Sequence, residues 1–373
     1  MPLSYMAAVE PRSVARWLGL GLVAALGFVV VAAATVRVTG RDGDPPAGPV
    51  LTDKLDWLRA HAADYDLIFA GTSRVHYHVD PGRLDPAMAA AGCPLRSFNM
   101  GVQGLTSAEL LWLLPRLAEV EREAGVHWPV IAVDRPQIAL RILRELGTER
   151  LAYTMRQPGA VRTLLDGIWT SSRSLLNKVM DSRDVLLAWL YYRLEPGVLA
   201  RRLLPLAPAL QGGPGLTVDL ARGGFVPLEE ETDPMLPPRR AAINWESFGQ
   251  ELDRVMQLDT EAARLSDARA AHFRAQLDAA RAVAPSVVLV LMPQATRDWV
   301  ADSKALEQAA AEGRLGDVAV VNLGDPARYP QLFARELWFD TDHVAAEGVQ
   351  RLNAALGPAL CAALKAKGAV AGG

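Results

Sequence analysis

The sequence predicts an α/β protein, a three-layer α/β/α sandwich built on a five-stranded parallel sheet of flavodoxin-like order. Two observations predict this class. Short, nearly uninterrupted apolar runs are typical of strands buried on both faces, and helical patterns lie between most of them. The predicted strands are Asp66–Ala70, Arg96–Asn99, Pro129–Val133, Ser286–Met292 and Val318–Asn322.

Helices are predicted where apolar residues recur every three or four positions. The first carries Leu55 and Leu58 at this spacing, with Thr52 as its expected N-cap. The predicted helices are Thr52–Ala63, Ser107–Ala124, Asp259–Val283, Ser303–Ala311 and a closing helix from Ala345 to about Lys365.

Composition excludes some classes of function. Half of the 373 residues are hydrophobic and 22% are charged, which is a globular composition. The net charge of −3 supplies no basic field, so nucleic acid is not expected as a partner. Cys93 and Cys361 belong to no CxxC pair, so a zinc site built on cysteines is not expected. No other metal ion and no cofactor is predicted. The two cysteines form either one disulfide, in an oxidising compartment, or two small buried hydrophobic residues.

The N-terminus predicts a membrane anchor over residues 1–38. Arg12 and Arg16 precede Trp17–Val36, a run without a charged residue. Twenty helical residues span roughly 30 Å, the thickness of the hydrocarbon core. An uncleaved signal anchor, followed by a linker over 39–50, therefore places the main domain outside the cytoplasm. Cleavage near Ala34 and a buried core helix are the alternatives.

The α/β core is predicted to comprise residues 51–135 and 285–370. Between its third and fourth strands lie residues 136–284, far more than one crossover needs. This segment reads as a mainly helical insertion that returns to the core. Either it caps the edge of the sheet that carries the site, or it is a surface elaboration without a role in substrate binding.

Candidate catalytic residues follow the first and fifth strands. Ligands of open parallel sheets bind beyond the carboxyl ends of the strands. Ser73, in Gly71-Thr-Ser73-Arg74, follows the first strand, whereas Asp340 and His343 precede the closing helix. A serine hydroxyl needs a base to take its proton, and a carboxylate can orient that base. The pattern predicts Ser73 as nucleophile, His343 as base and Asp340 as the orienting acid.

The second strand is followed by Asn99-Met-Gly101, where a glycine lets the backbone approach a ligand closely. The chain order of these three motifs resembles the SGNH/GDSL hydrolase superfamily over roughly residues 65–135 and 285–365. The resemblance implies a Ser-His-Asp triad and an oxyanion hole to which the N–H of Gly101 contributes.

Two departures from the superfamily pattern concern the oxyanion hole. The first motif has Gly-Thr-Ser-Arg in place of Gly-Asp-Ser. After the third strand, Val133-Asp134-Arg135-Pro136 replaces Gly-x-Asn-Asp, and an ionised Asp134 would repel an oxyanion. The predicted oxyanion and binding residues are Gly101, Asn99, Arg74 and Asp134.

The Gly-Thr-Ser-Arg motif, the Asn-x-Gly motif and the membrane anchor look like a divergent subset of the superfamily. This subset is related to alginate O-acetylation proteins and to the D-alanyl-lipoteichoic acid transfer protein. The resemblance implies a cell-envelope glycan or its acyl donor as substrate, and a membrane-bound O-acyltransferase as a partner.

Three functions are compatible with these motifs. The first is an extracytoplasmic serine esterase or O-acyltransferase. The second is a catalytically weak or inactive domain that binds a glycan or scaffolds a polymer-export complex. The third is an intracellular α/β protein with a hydrophobic tail. His76 and His78 lack a third metal ligand nearby and are interpreted as solvated helix residues.

Overall fold

The protein is described here by a computed structural model. It covers Val23, Gly27 and residues 49–135, 154–155, 159–171, 173–194, 220–230, 236–258 and 264–370.

The α/β class and the five-stranded, all-parallel sheet are confirmed. Each strand lies within two residues of its predicted position because apolar runs of this length are long enough to specify a buried strand. The strands are β1 (Leu67–Gly71), β2 (Ser97–Gly101), β3 (Val130–Asp134), β4 (Ser286–Leu291) and β5 (Ala319–Asn322). They are ordered β2-β1-β3-β4-β5, which is the predicted flavodoxin-like order.

The helix Ser107–Ala124 has its predicted bounds because Thr106 and Glu109 form a capping box at its start. The first helix begins at Pro49, ahead of the predicted cap Thr52. The α-helices are α1 (Pro49–His61), α2 (Ser73–His78), α3 (Pro81–Ala90), α4 (Ser107–Ala124), α5 (Ala160–Thr170), α6 (Leu175–Leu194), α7 (Leu236–Ala241), α8 (Trp245–Met256), α9 (Asp267–Arg281), α10 (Arg297–Ala311) and α11 (Ala346–Ala366).

The sheet is covered by helices on both faces. Alternate residues of β1 point to opposite sides, so Ile68 and Ala70 join one apolar cluster and Leu67 and Phe69 join the other. The first cluster includes side chains of α1, α4 and α9, and the second includes side chains of α3, α8 and α11. Burial on both faces explains why the strands are apolar throughout.

Two helices of the predicted insertion pack on the core. Phe273 and Leu277 of α9 lie in the first cluster, and Phe248 and Leu252 of α8 lie in the second. By contrast, α5 and α6 expose large apolar side chains to solvent, among them Trp169, Leu175, Leu176, Leu186 and Leu187.

Cys93 and Cys361 form a disulfide with a Cα–Cα distance of 5.7 Å. It joins the segment after α3 to the middle of α11, and both cysteines are buried. Of the two alternatives that the sequence left open, the structure therefore has the disulfide.

Most of the predicted anchor and the linker lie outside the described residues. Within the part of the chain that is described, no helix combines the length and the apolar character needed to cross a bilayer.

Candidate active site

Ser73 is the first residue of α2, directly beyond the carboxyl end of β1. Gly71 makes the close turn possible, because a Cβ there would lie 2.5 Å from Val75 Cγ2 and 2.6 Å from Asp134 Cβ. Thr72 caps α2 by accepting a hydrogen bond from the Arg74 N–H. The glycine and the cap together place Ser73 at the edge of the sheet where ligands of such folds bind.

Asp340 and His343 lie on a tight turn that is closed by an isolated antiparallel bridge between Trp338 and Val344. The Asp340 Oδ1 accepts hydrogen bonds from the backbone N–H groups of Asp342 and His343, each at 2.8 Å. These bonds hold the carboxylate against the backbone of its own turn. A spacing of three residues therefore suffices to bring it beside the His343 ring.

The three predicted triad residues converge. His343 Nε2 lies 2.9 Å from Ser73 Oγ, and His343 Nδ1 lies 3.0 Å from both Asp340 oxygens. Ser73, Asp340 and His343 are 7%, 3% and 6% exposed, so these bonds form away from bulk water. Residues 270 positions apart thus meet in one hydrogen-bonded chain.

The charge on Asp340 determines the tautomer of His343. Burial raises the pKa of the Asp340 carboxyl, but the His343 ring and the two backbone N–H groups outweigh burial, so that its pKa is lowered. An ionised carboxylate only accepts, so Nδ1 of His343 carries the proton. Nε2 of the neutral ring is then the acceptor for the Ser73 hydroxyl, the arrangement that general-base catalysis requires.

His76 and His78 are fully buried, so the expectation of solvated residues is wrong. His78 Nε2 accepts a hydrogen bond from the Val344 N–H at 3.1 Å, and its ring meets that of His343 edge-on at 5.7 Å. Burial lowers the pKa of His78 well below its usual value, and the neighbouring His343 and Arg74 act in the same direction. A neutral His78 therefore supports the turn that carries His343.

His76 faces a different neighbour, the buried Lys54 of α1. The Lys54 Nζ lies 3.1 Å from His76 Nδ1 and donates to the Gly101 carbonyl at 2.7 Å. Burial lowers the pKa of Lys54 well below its usual value. A lone lysine gave no signal in the sequence, because only the packing of α1 on one face of the sheet brings it beside the end of β2.

The groups of Gly101 and Asn99 that were predicted to serve the oxyanion hole bond within the protein instead. The Gly101 N–H donates to Asn99 Oδ1 at 2.9 Å, and a Cβ on Gly101 would lie 2.3 Å from the backbone nitrogen of His76. Asn99 Nδ2 donates to the carbonyls of Val75 and Val79 at 2.6 and 2.7 Å. Both residues hold α2 against β2, and their hydrogen-bonding groups are already paired.

Arg74 and Asp134 also serve the protein's own backbone and side chains. Asp134 Oδ2 accepts a hydrogen bond from the Thr72 hydroxyl at 2.6 Å and lies 3.5 Å from Arg74 Nε. Arg74 Nη2 donates to the Arg135 carbonyl at 3.2 Å. Asp134 thus fixes the residue before Ser73, and Arg74 points toward the end of β3.

Part of the predicted insertion packs beside the triad. Val226 and Leu228 form a small apolar cluster with Tyr77 and Phe339. Phe339 directly precedes Asp340 in the chain. Leu228 also lines a cavity of about 540 Å³ together with Phe339, Arg240 and Trp245. A larger cavity of about 790 Å³ lies around Asp80, Asp85 and Arg222 and contains none of the triad residues, so size alone does not locate the site.

No group of three or more His, Cys, Asp and Glu residues in the described ranges is arranged to hold a metal ion. Comparison of the chain with known protein families, with curated proteins and with solved structures found no match. The function proposed for the site therefore rests on its own geometry.

Proposed function

We propose that this protein is a serine esterase or O-acyltransferase of the SGNH type that acts on acyl esters of a cell-envelope glycan. The observation that carries the proposal is the 2.9 Å contact between Ser73 Oγ and His343 Nε2, with Asp340 bonded to the other ring nitrogen. A serine, a neutral imidazole and a buried carboxylate in this order form the arrangement that activates a hydroxyl for acyl transfer.

The reaction proceeds in two steps. Ser73 Oγ attacks the ester carbonyl carbon while its proton passes to His343 Nε2. The tetrahedral intermediate collapses, His343 returns the proton to the leaving alcohol oxygen, and the acyl group stays on Ser73. Water or a glycan hydroxyl then attacks the acyl-serine, again giving its proton to His343 Nε2. The second tetrahedral intermediate collapses, His343 returns that proton to Ser73 Oγ, and the carboxylic acid or the new ester leaves.

The backbone N–H of Ser73 is the oxyanion donor in this proposal. It lies in the first turn of α2, where backbone N–H groups have no acceptor within the helix. Since Gly101 donates to Asn99, a second donor from β2 is lacking, and one missing donor costs roughly 10² to 10³ in kcat. We therefore expect slow turnover on small activated esters.

Transfer to a glycan requires a site that holds the acceptor and excludes water. The cavity beside Phe339 supports transfer over simple hydrolysis. It adjoins the turn that carries Asp340 and His343, and Arg240 and Trp245 from the insertion line it. The acceptor hydroxyl would reach the acyl-serine from this side.

The extracytoplasmic, single-pass location is part of the same proposal. The disulfide between Cys93 and Cys361 supports an oxidising compartment, because such bonds are rare in the cytosol. The uncharged run Trp17–Val36 supports an anchor in the inner membrane, beside a membrane-bound O-acyltransferase.

The second candidate is a catalytically weak or inactive domain that binds a glycan or scaffolds a membrane O-acetylation or polymer-export complex. Two observations favour it. The Gly101 N–H is already bonded, and the carboxylate of Asp134 stands in the chain where the superfamily has an oxyanion asparagine.

Labelling by a fluorophosphonate probe separates the two candidates. We expect the purified full chain to be labelled and Ser73→Ala to lose all labelling. Ser247→Ala, which removes an exposed serine on α8, is the matched control and should keep it. Hydrolysis of p-nitrophenyl acetate should follow the same pattern. A folded wild-type chain that is neither labelled nor active on acetylated glycans would refute the enzyme and favour the binding domain.

A further inference from the structure

A second buried polar cluster lies at the same edge of the sheet as Ser73. It contains Arg74 of α2, Arg135 directly after β3, and Arg269 of α9, all buried. Asp302 of α10 accepts from Arg135 Nη2 at 2.8 Å and from both Nη atoms of Arg269 at 2.8 and 2.6 Å. Asp134 lies beside Arg74. Four segments that are distant in sequence thus bring their charges together here.

The cluster has more positive than negative charge. Three guanidinium groups share the two carboxylates of Asp134 and Asp302. Burial lowers the pKa of Arg135 to about 10, and the charges of Arg269 and Arg74 act in the same direction, against Asp302. Charges that are removed from water are normally paired, and among the described residues the cluster lacks one counter-charge.

The cluster also has hydrogen-bond donors that are not used. Arg135 is only 8% exposed, yet its Nη1 donates to no acceptor in the described part of the chain, and neither does Nε of Arg269. Buried polar groups are nearly always hydrogen-bonded, and an unpaired one calls for an explanation such as a ligand. An arginine fork suits the paired oxygens of a carboxylate or phosphate.

Trp299 holds two of the arginines in place. The guanidinium carbons of Arg74 and Arg135 each lie 4.1 Å from the centroid of its ring, and its indole N–H donates to the Met292 carbonyl just after β4. The negative face of the indole attracts both cations, which allows two like charges to remain close together. The cluster is thereby built in advance of any ligand.

From these observations we infer that the arginine cluster, comprising Arg74, Arg135, Arg269 and Trp299, binds an anionic group of the substrate, a carboxylate or a phosphate. Arg74 directly follows Ser73, so the anion would be bound next to the nucleophile. Arg135 follows β3 and Trp299 bonds to the residue directly after β4, so the anion would lie on the β3 and β4 side. Resting on the proposed function, this inference places a carboxylate or a phosphate of the acylated substrate beside the ester that Ser73 attacks.

Binding is tested on full-length Ser73→Ala, which cannot turn over, by calorimetry with sodium glucuronate, inorganic phosphate and neutral glucose at constant ionic strength. We expect at least one of the two anions to bind saturably and glucose not to bind. Tighter glucuronate indicates a carboxylate as the natural ligand group, and tighter phosphate indicates a phosphate. Absence of binding by both anions to the folded protein would overturn the inference.

Added to Ser73→Ala, Arg135→Gln should weaken anion binding at least tenfold. Arg135→Lys, which keeps the charge but loses the fork, should fall in between. Arg314→Gln is the matched control, because Arg314 is another partly buried arginine, bonded to the Leu265 carbonyl outside the cluster. If Arg135→Gln does not fold, Arg135→Lys and Arg269→Lys decide, each with an expected loss of several fold. Unchanged affinity in the folded cluster variants would also overturn the inference.

Anion binding by a chain that no fluorophosphonate labels would refute the proposed enzyme activity while leaving the arginine cluster as a ligand site.

Discussion

The triad and the arginine cluster lie at the same edge of one sheet and are both buried, but they differ in how their polar groups are paired. Ser73, His343 and Asp340 bond to one another and to the backbone of their own turn. The arginine cluster keeps a buried N–H on Arg135 without an acceptor.

This difference distinguishes two kinds of site. A proton relay has its donors and acceptors within the protein, so it can be assembled before a substrate arrives. A subsite for an anion is completed only by the ligand, and until then a positive charge and its donors remain unpaired. Changes in the triad should therefore lower kcat, whereas changes in the arginine cluster should raise KM for anionic substrates.

The largest effect is expected from Asp340→Asn. An amide in place of the carboxylate favours the wrong tautomer of His343, which lowers kcat roughly 10⁴-fold in a Ser-His-Asp triad. KM should change little. Initial rates on p-nitrophenyl acetate measure both, and an active Asp340→Asn with an unchanged kcat would remove Asp340 from the relay.

Asp340→Asn should also change the dependence of stability on pH. Because the pKa of Asp340 is lowered in the folded state, its ionised form stabilises the fold above the ordinary Asp pKa of about 3.9. That stabilisation is lost as the pH falls through the lowered value. Thermal melts from about pH 5 down to about pH 2 should therefore show a steeper loss for the wild type than for the variant.

An intermediate effect, on stability alone, is expected from Cys93→Ala combined with Cys361→Ala. The disulfide closes a loop of 268 residues, and loss of such a bond costs about 2–5 kcal/mol of unfolding free energy. Neither cysteine is among the residues that contact the triad, so kcat should be unchanged below the lowered Tm. Denaturant melts with parallel esterase assays test this, and a lost kcat in the folded variant would contradict it.

The smallest effect is expected from Trp299→Leu. The indole contributes about 0.5–2 kcal/mol to a neighbouring cation, so its loss should loosen Arg74 and Arg135 and raise KM for an anionic ester a few fold. KM for a neutral ester and kcat for both should stay constant. An equal change in KM for the two esters would mean that Trp299 has only a structural role.

The sequence by itself determined the fold class, the strand positions and the three residues that converge as a triad. Apolar runs of strand length specify burial on both faces, and residues that follow parallel strands must emerge at one edge. Ser73 and His343 were identifiable because each lies in a short motif next to an element boundary.

Tertiary structure alone decided which polar groups are already paired. Gly101 and Asn99 fit the motif, but their hydrogen bonds are made to one another and to α2. The burial of Lys54, His76 and His78 and the assembly of the arginine cluster likewise depend on which helices pack together. Pairing is a property of three-dimensional contacts between distant segments, so no local pattern in the chain reports it.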